Sequence, residues 1–584
     1  MAVDQSPINK LITEHIDVWT SAVQTKSASG RGSSKKLELY GVKKLRELIL
    51  ELAVRGKLVP QDPNDEPASV LLERIAAEKA QLVKDKKIKK TKALPPINDS
   101  KPFQIPNNWG WSQLGFLSNY GVCDKLEPKD ASPSTWVLEL EDVEKYTSRL
   151  LKKVRFEERV FKSTKNSFQK NDVIYGKLRP YLDKVLVADE DGACTTEMIP
   201  IRGYIGLMPE FIRLVLKTPY FIEYANTSTH GMNLPRMGTD KARAALFPLA
   251  PLNEQHRIVA KVDELMALCD QLEQQTEASI EAHQVLVTTL LDTLTNSADA
   301  DELMQNWARI SEHFDTLFTT EESIDQLKQT ILQLAVMGKL VPQDPSDEPA
   351  AELLKRIAEE KAQLVKVKKI KKPKAHITFE GLDDLKTQIP SGWHWIRLSD
   401  TAELVRGGSP RPAGDPRFYD GEIPFLKVGD VTRKSSKFVE GYNATIKEAG
   451  LNKTRLIETR TVLLSNSGAT LGVPAICEFP ATFNDGIAAF IEKSKYIYDE
   501  YLYLYLSTKT KWFLDIASRG QGQPNLNTDI IKATWFPLAP FEEQYRIVCK
   551  VDELLSICEH LKKQILESQA TQLHLTDSIV DKAV

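Results

Sequence analysis

Residues 247–272 read FPLAPLNEQHRIVAKVDELMALCDQL, and residues 536–561 read FPLAPFEEQYRIVCKVDELLSICEHL. In the first copy Ile258, Val262, Leu265, Cys269 and Leu272 step by four and three, and Thr276, Ser279, His283, Leu286 and Leu290 continue the step. In the second, Ile547, Val551, Leu554, Cys558 and Leu561 fall in the same register, continued by Ile565, Ser568, Gln572, Leu575 and Ile579. A sustained 4-3 spacing is the seam of a coiled coil, because two helices must keep their a and d positions facing each other. Helices this long and polar elsewhere need a partner. Two copies in one phase predict that they pair with each other. Ordinary amphipathic surface helices are the plainer alternative, and the polar seam residues weaken the second half of each.

Working outward, the chain is one module written twice. EHID at residues 14–17 is answered by EHFD at 312–315, and residues 45–90 match residues 327–372 at most positions, both containing GKLVPQDP and then DEPA. In this block Leu45, Leu48, Ile49, Leu52 and Ala53 make one helical face, Gly56 is the C-cap, and Pro60 and Pro63 hold an extended connection. Asp65, Glu66 and Pro67 are expected to open the next helix, with the acids facing its dipole. That helix ends in a lysine run at 84–92, repeated at 366–374. A Ser/Gly/Lys segment at 26–36 has the composition of a flexible insertion and is nearly absent from the second copy. Each variable module starts at a Trp signature, IP…W.W at 105–111 and 389–395, and runs to FPLAP. Between these marks lie short β-like runs (172–175, 184–187, 461–464, 487–490) and helical stretches (210–216, 500–506), so each module is α+β (mixed α/β). The frames are alike and the interiors differ, which suggests one scaffold presenting two binding surfaces.

A chain of 584 residues is too long for one core. It is 42% apolar and 27% charged with net charge −3, which does not exclude nucleic acid because that footprint is local. Six scattered cysteines without CxxC argue for a reducing compartment and against a disulfide framework or zinc site. No run approaches ~18 apolar residues, so neither membrane insertion nor a signal core is expected, and the protein is expected to be cytoplasmic.

The enzyme motifs are missing. Each Gly-Lys pair (56–57, 176–177, 338–339) is followed by Leu rather than Ser or Thr, and HExxH, GxSxG and Asn/Asp-Pro-Pro-aromatic are absent. Nucleic-acid signals are better. Residues 149–184 carry eleven Lys/Arg against four acids, including YGKLRPY at 175–181. Arg can fork onto guanine and Lys can neutralise phosphate. The second module offers RGGSPR at 406–411, SNSG at 465–468 and RGQGQPNLN at 519–527, where Asn and Gln could read adenine and Gly lets backbone approach. A solvated basic face and ordinary turn chemistry are the bland readings of the same stretches.

The paired variable modules bracketed by repeats, the FPLAPxxEQxRIVxKVDEL mark and the LAVxGKLVPQDPxDEP block resemble the specificity subunits of type I restriction–modification enzymes, over essentially the whole chain. The resemblance implies two target recognition domains, each reading half of a split sequence in double-stranded DNA, joined by long antiparallel coiled-coil helices in a pseudo-two-fold tandem repeat. The implied boundaries are an N-terminal helical conserved region at 1–104, target recognition domains at 105–250 and 389–539, a central conserved region at 251–388 with its heptad helix at 254–296, and a C-terminal heptad helix at 540–584. The conserved regions would dock two methyltransferase subunits, and restriction subunits would join them. This chain would be non-catalytic and hold no cofactor, with S-adenosylmethionine, ATP and Mg²⁺ on the partners. DNA contacts are expected from Lys177, Arg179, Tyr181, Lys184 and Arg236 in the first module. In the second they are expected from Arg406, Arg411, Lys427, Arg433, Lys434, Asn466, Ser467, Gln521, Gln523 and Asn525. A coiled-coil scaffold with two protein-binding heads, or a self-sufficient DNA-modifying enzyme, are the alternatives.

Overall fold

The computed structural model describes residues 7–27, 35–89, 92–98, 100–230, 234–298, 300–372, 377–378, 381–433, 435–518 and 525–584. The chain divides into two compact units, Met1–Ile280 with Ser568–Val584, and Glu281–Glu567. Both heptad segments are single helices, Leu252–Asn296 and Phe541–Ala583. The first gives its N-terminal part to unit 1 and its C-terminal part to unit 2, and the second does the reverse.

The residues predicted for the seam are buried or packed on the core at the start of each helix. Ile258, Val262, Leu265, Cys269 and Leu272 are buried in the core of unit 1, which also contains Ile579. Ile547, Val551 and Cys558 are buried in unit 2, with Leu554 and Leu561 packed against that core. Further along, the register moves by one residue. Leu286 and Leu575 are 49% and 43% exposed, and Ser279 and Ser568 are exposed. Val287, Leu291 and Leu294 are buried instead, as is Thr576, while Ile579 is buried as the spacing predicts. The cause is geometric: an α-helix that is not supercoiled drifts ~20° per heptad from a 3.5 repeat, so after four heptads the seam lies nearly one residue position away.

The repeated helical block becomes helices Tyr40–Val54 and Ala68–Lys84 in unit 1 and Glu321–Val336 and Ala350–Lys366 in unit 2. Gly56 and Gly338 take the left-handed conformation beyond the first helix of each pair. A Cβ there would sit 2.4 Å from Pro106 Cγ and 2.5 Å from Pro390 Cγ respectively, so the cap also seats the IP…W signature. The role expected of Asp65 is corrected. It is buried and paired to Arg257 of the long helix, and its twin Asp347 is paired to Arg546, instead of facing a helix dipole. The segment expected to be a flexible insertion has strand ends: Gln24–Ser27 pairs antiparallel with Lys35–Glu38. Its remaining residues, 28–34, lie outside the described ones.

Each head is closed by pairing its first and last strands. Gly110–Gln113 pairs antiparallel with Leu246–Leu249, and His394–Arg397 with Trp535–Leu538. The FPLAP mark is therefore the closing strand, and its Phe247 and Phe536 are fully buried, worth ~1.5–3 kcal/mol each by area. Within unit 1, one sheet orders Lys125–Leu126, Lys165–Phe168, Gly192–Cys194 and Trp136–Leu138, and a second orders Met198–Ile201, Val173–Gly176 and Val185–Val187. Unit 2 repeats the plan with added strands. Thr461–Ser465 and Pro474–Cys477 form the hairpin beside Ile487–Ile491, and Tyr419–Leu426 runs parallel to Ala481–Phe483. In unit 1 the corresponding parallel pair is Trp136–Leu138 with Gly192–Cys194. Among the described residues no helix is long and apolar enough to cross a membrane.

Candidate nucleic-acid interface

In unit 1 three segments meet at one end of the sheets: the hairpin loop 177–184, the turn 195–197, and the strand Arg236–Met237. Lys177 N–H donates to Glu197 O (3.0 Å), Met237 N–H to Lys177 O (3.0 Å) and Arg179 N–H to Pro235 O (2.7 Å). Unit 2 makes the first two of these bonds from other residues. Asn466 N–H donates to Gly486 O (2.9 Å) and Leu526 N–H to Asn466 O (2.8 Å). Isolated bridges complete the match, Leu178 with Arg236 and Ser467 with Asn525. The turn after the parallel strand also agrees: Glu139 N–H and Lys427 N–H each donate 2.8 Å to the carboxylate three residues on, Asp142 and Asp430. The backbone frame is therefore shared, and Lys177, Arg236 and Glu197 stand where unit 2 has Asn466, Asn525 and Gly486.

The side chains on that frame differ in charge. In unit 1 Arg179 and Tyr181 are exposed, and the Arg179 guanidinium has no hydrogen-bond or ion-pair partner among the described residues. Arg236 Nε donates 3.0 Å to Glu197, so one cation is already held by a carboxylate. In unit 2 Arg406 Nε donates to Asp485 O, Ser409 Oγ donates 2.7 Å to the Asp485 carboxylate, and Arg411 lies 3.9 Å from it. The Ser409 hydrogen bond, with Arg406 and Arg411 nearby, holds the Asp485 carboxyl below its usual range. Lys427 and Arg433 are exposed at the neighbouring turn, and Asn525 is exposed beside Ser467.

Two residues expected to contact DNA are turned inward. Lys184 Nζ donates 2.7 Å to Leu140 O, tying two loops together, and burial pulls its ammonium below the ordinary lysine value. Asn466 is fully buried, and in its correct amide orientation it donates to Gly486 O (2.8 Å) and Asp485 O (3.3 Å). It shapes the turn and offers no edge to a ligand. Lys434, Gln521 and Gln523 lie outside the described residues.

The residues EQ.R of the FPLAP mark, noticed in the sequence only as a repeat, build a joint. Trp109 Nε1 donates 2.9 Å to Glu254, which also accepts from Gln61, while Gln255 accepts from Met208 N–H (3.1 Å) and donates to Ala250 O (2.9 Å). In unit 2 Trp393 and Gln343 hold Glu543, and Gln544 accepts from Tyr498 N–H (2.9 Å). Burial raises the Glu254 and Glu543 carboxyls, opposed by the Trp and Gln hydrogen bonds. The signal was legible as a fixed spacing between a Trp and a Glu-Gln-x-Arg in both copies.

Comparison with known proteins places this architecture. Residues 390–568 match the Type I restriction modification DNA specificity domain. The chain is 40% identical to the Type I restriction enzyme EcoAI specificity subunit of Escherichia coli, over 99% of this chain and all of that one. It is likewise 40% identical to the EcoEI specificity subunit of Escherichia coli, over the same shares. A solved chain reported under "Structural basis underlying complex assembly and conformational transition of the type I R-M system" superposes with TM-score 0.51 at 19% identity, covering 82% of this chain and 99% of that one, a likeness of fold. The chain belongs to the family of type I restriction enzyme specificity subunits.

Proposed function

We propose that this chain is the sequence-reading, non-catalytic subunit of a type I restriction–modification enzyme, with each head reading one half of a split DNA target. The reading is carried by one observation: a shared backbone frame in the two units, two matching hydrogen bonds and one matching bridge, presents Lys177 and Arg236 in one and Ser467 and Asn525 in the other. A protein that bound two copies of one ligand would gain nothing from that divergence. Kinship over the full length with specificity subunits supports the same conclusion. Arg179 and Arg236 suit guanine edges or phosphate, and Asn525 suits adenine. The partners in this reading are methyltransferase subunits, which would carry S-adenosylmethionine, and restriction subunits, which would carry ATP and Mg²⁺.

The test is to express the chain with its methyltransferase subunits in a host free of other such systems and to map modified adenines. The expected outcome is methylation confined to a bipartite sequence with an unspecified spacer. Methylation at a continuous short site, or methyl transfer by the isolated chain, overturns the proposal.

A further inference from the structure

Beside the 177–184 hairpin of unit 1 lies a second loop, 144–149, of which only Arg149 belongs to the basic stretch read from the sequence. It is bound to the hairpin at several points. Tyr146 N–H donates 2.9 Å to Leu182 O, Ser148 Oγ donates to Asp183 O and accepts from Val185 N–H (3.1 Å), and Lys184 reaches Leu140 O. The Lys217 ammonium closes the knot from below: it donates to Tyr146 O (3.0 Å), to Ser148 Oγ (2.8 Å) and to the Asp183 carboxylate. Asp183 and Lys217 keep only 10% and 11% of their side-chain surface exposed.

The knot stores backbone strain. Tyr146 (φ 69°), Ser148 (φ 60°), Arg179 (φ 51°) and Asp183 (φ 49°) are four of the nine non-glycine left-handed residues described in the chain. Such residues persist only where surrounding structure over-determines them, and they cluster at binding sites. Unit 2 shows the relaxed solution. Gly472 occupies the position of Asp183, since Ser465 N–H donates to Val473 O as Gly176 N–H donates to Lys184 O, and its φ is 82°. A turn needing only stability would use glycine there too.

What the strain holds outward is aromatic and basic. Tyr146 is 58% exposed, Tyr181 is 43% exposed, and the Arg149 side chain keeps 73% of its surface while pairing at 3.5 Å with Glu144 of the same loop. Lys145, also exposed, corresponds to Arg433, because both stand three residues after the aligned Asp142 and Asp430.

We propose that the 144–149 loop is a second limb of the DNA-contacting surface of unit 1, with Tyr146 and Arg149 meeting the duplex beside Arg179 and Tyr181 and the Lys217–Asp183 pair positioning both limbs. The proposal rests on the reading of this chain as a DNA-binding subunit. Tyr and Arg at such a place hydrogen-bond phosphates and pack on sugar or base faces.

The test uses the full chain assembled with its methyltransferase subunits, the duplex found by methylome mapping, and a duplex scrambled in both half-sites. Tyr146→Gly with Arg149→Ala respects the left-handed backbone and removes both side chains. The expected result is about tenfold weaker binding to the cognate duplex, with hydroxyl-radical protection lost at one half-site only. Asp183→Gly, which the backbone accepts, is expected to reduce discrimination at that same half-site without changing base preference at the other. If the double variant binds both duplexes as the parent does while Arg179→Ala loses discrimination, the surface ends at the hairpin and the second limb is refuted. If Arg179→Ala is silent as well, the hairpin reading surface itself falls.

Discussion

Arg179 and Lys152 are both exposed cations of unit 1, yet they are expected to behave differently. Arg179 sits on the strained turn of the reading hairpin, so Arg179→Ala should relax base choice in one half-site by ~1–3 kcal/mol. Lys152→Ala should weaken cognate and random duplex alike and lower the salt dependence of binding. Equal losses for both variants on specific and random DNA would refute the assignment. Asp183 gives a pH signature to the same head. Burial pushes its carboxyl up to about 6 against the Lys217 charge. The folded value lies above the unfolded one, so its charged form is penalised at neutral pH and that penalty is relieved as pH falls from about 6 toward the ordinary carboxylate value. Asp183→Asn should flatten the pH dependence of unfolding in that window, and NMR titration should find a midpoint near the raised value. A midpoint at the ordinary carboxylate value would remove the argument.

At the scale of the element, the seam was legible where a short stretch suffices and illegible where geometry accumulates. Ile258 through Leu272 lie as the spacing predicts, but Leu286 and Leu575 do not, because a heptad count assumes a supercoil that the sequence does not itself enforce. The corrected register has a direct test: Leu291→Ala should cost ~2–5 kcal/mol of stability, whereas Leu286→Ala should cost under ~1 kcal/mol. Denaturant unfolding of the two variants decides between the registers, and the opposite ranking would restore the uninterrupted heptad. The joint at the head of each long helix is a second element-scale feature. Glu254→Ala leaves the buried Trp109 Nε1 without its acceptor and takes one of two acceptors from the Gln61 amide, and should cost ~1–3 kcal/mol, seen as a lower melting temperature. The four β-like runs read from the sequence (172–175, 184–187, 461–464, 487–490) lie within a residue of strands, while the other strands of the heads were not singled out. The inward turning of Lys184 and Asn466 was not, since a polar side chain beside a loop looks the same in sequence whether it faces water or a carbonyl.

At the scale of the whole chain, the two units share two continuous helices. The 45-residue first helix is ~68 Å long at ~1.5 Å per residue. Four residues inserted between 267 and 288 add about one turn and preserve the helix. Methylome mapping should then show the half-site bases unchanged and the spacer altered, or no methylation at all. A changed half-site preference with an unchanged spacer would rule out a measuring role for the helix. The duplication itself was plain from the repeated blocks, as was the match of the Pro235 and Pro524 loops, but the correspondence of the hairpin loops was not, because 177–184 and 466–473 share almost no residues. Only their hydrogen bonds reveal the correspondence.

The closing strand pair of each head has an evolutionary consequence. Because Gly110–Gln113 and Leu246–Leu249 lie side by side, as do their twins in unit 2, everything between them forms a cassette whose two ends emerge together. Recombination at the two flanks can replace such a cassette without disturbing the frame that receives it, so a lineage carrying this chain can acquire a new vocabulary by a pair of crossovers.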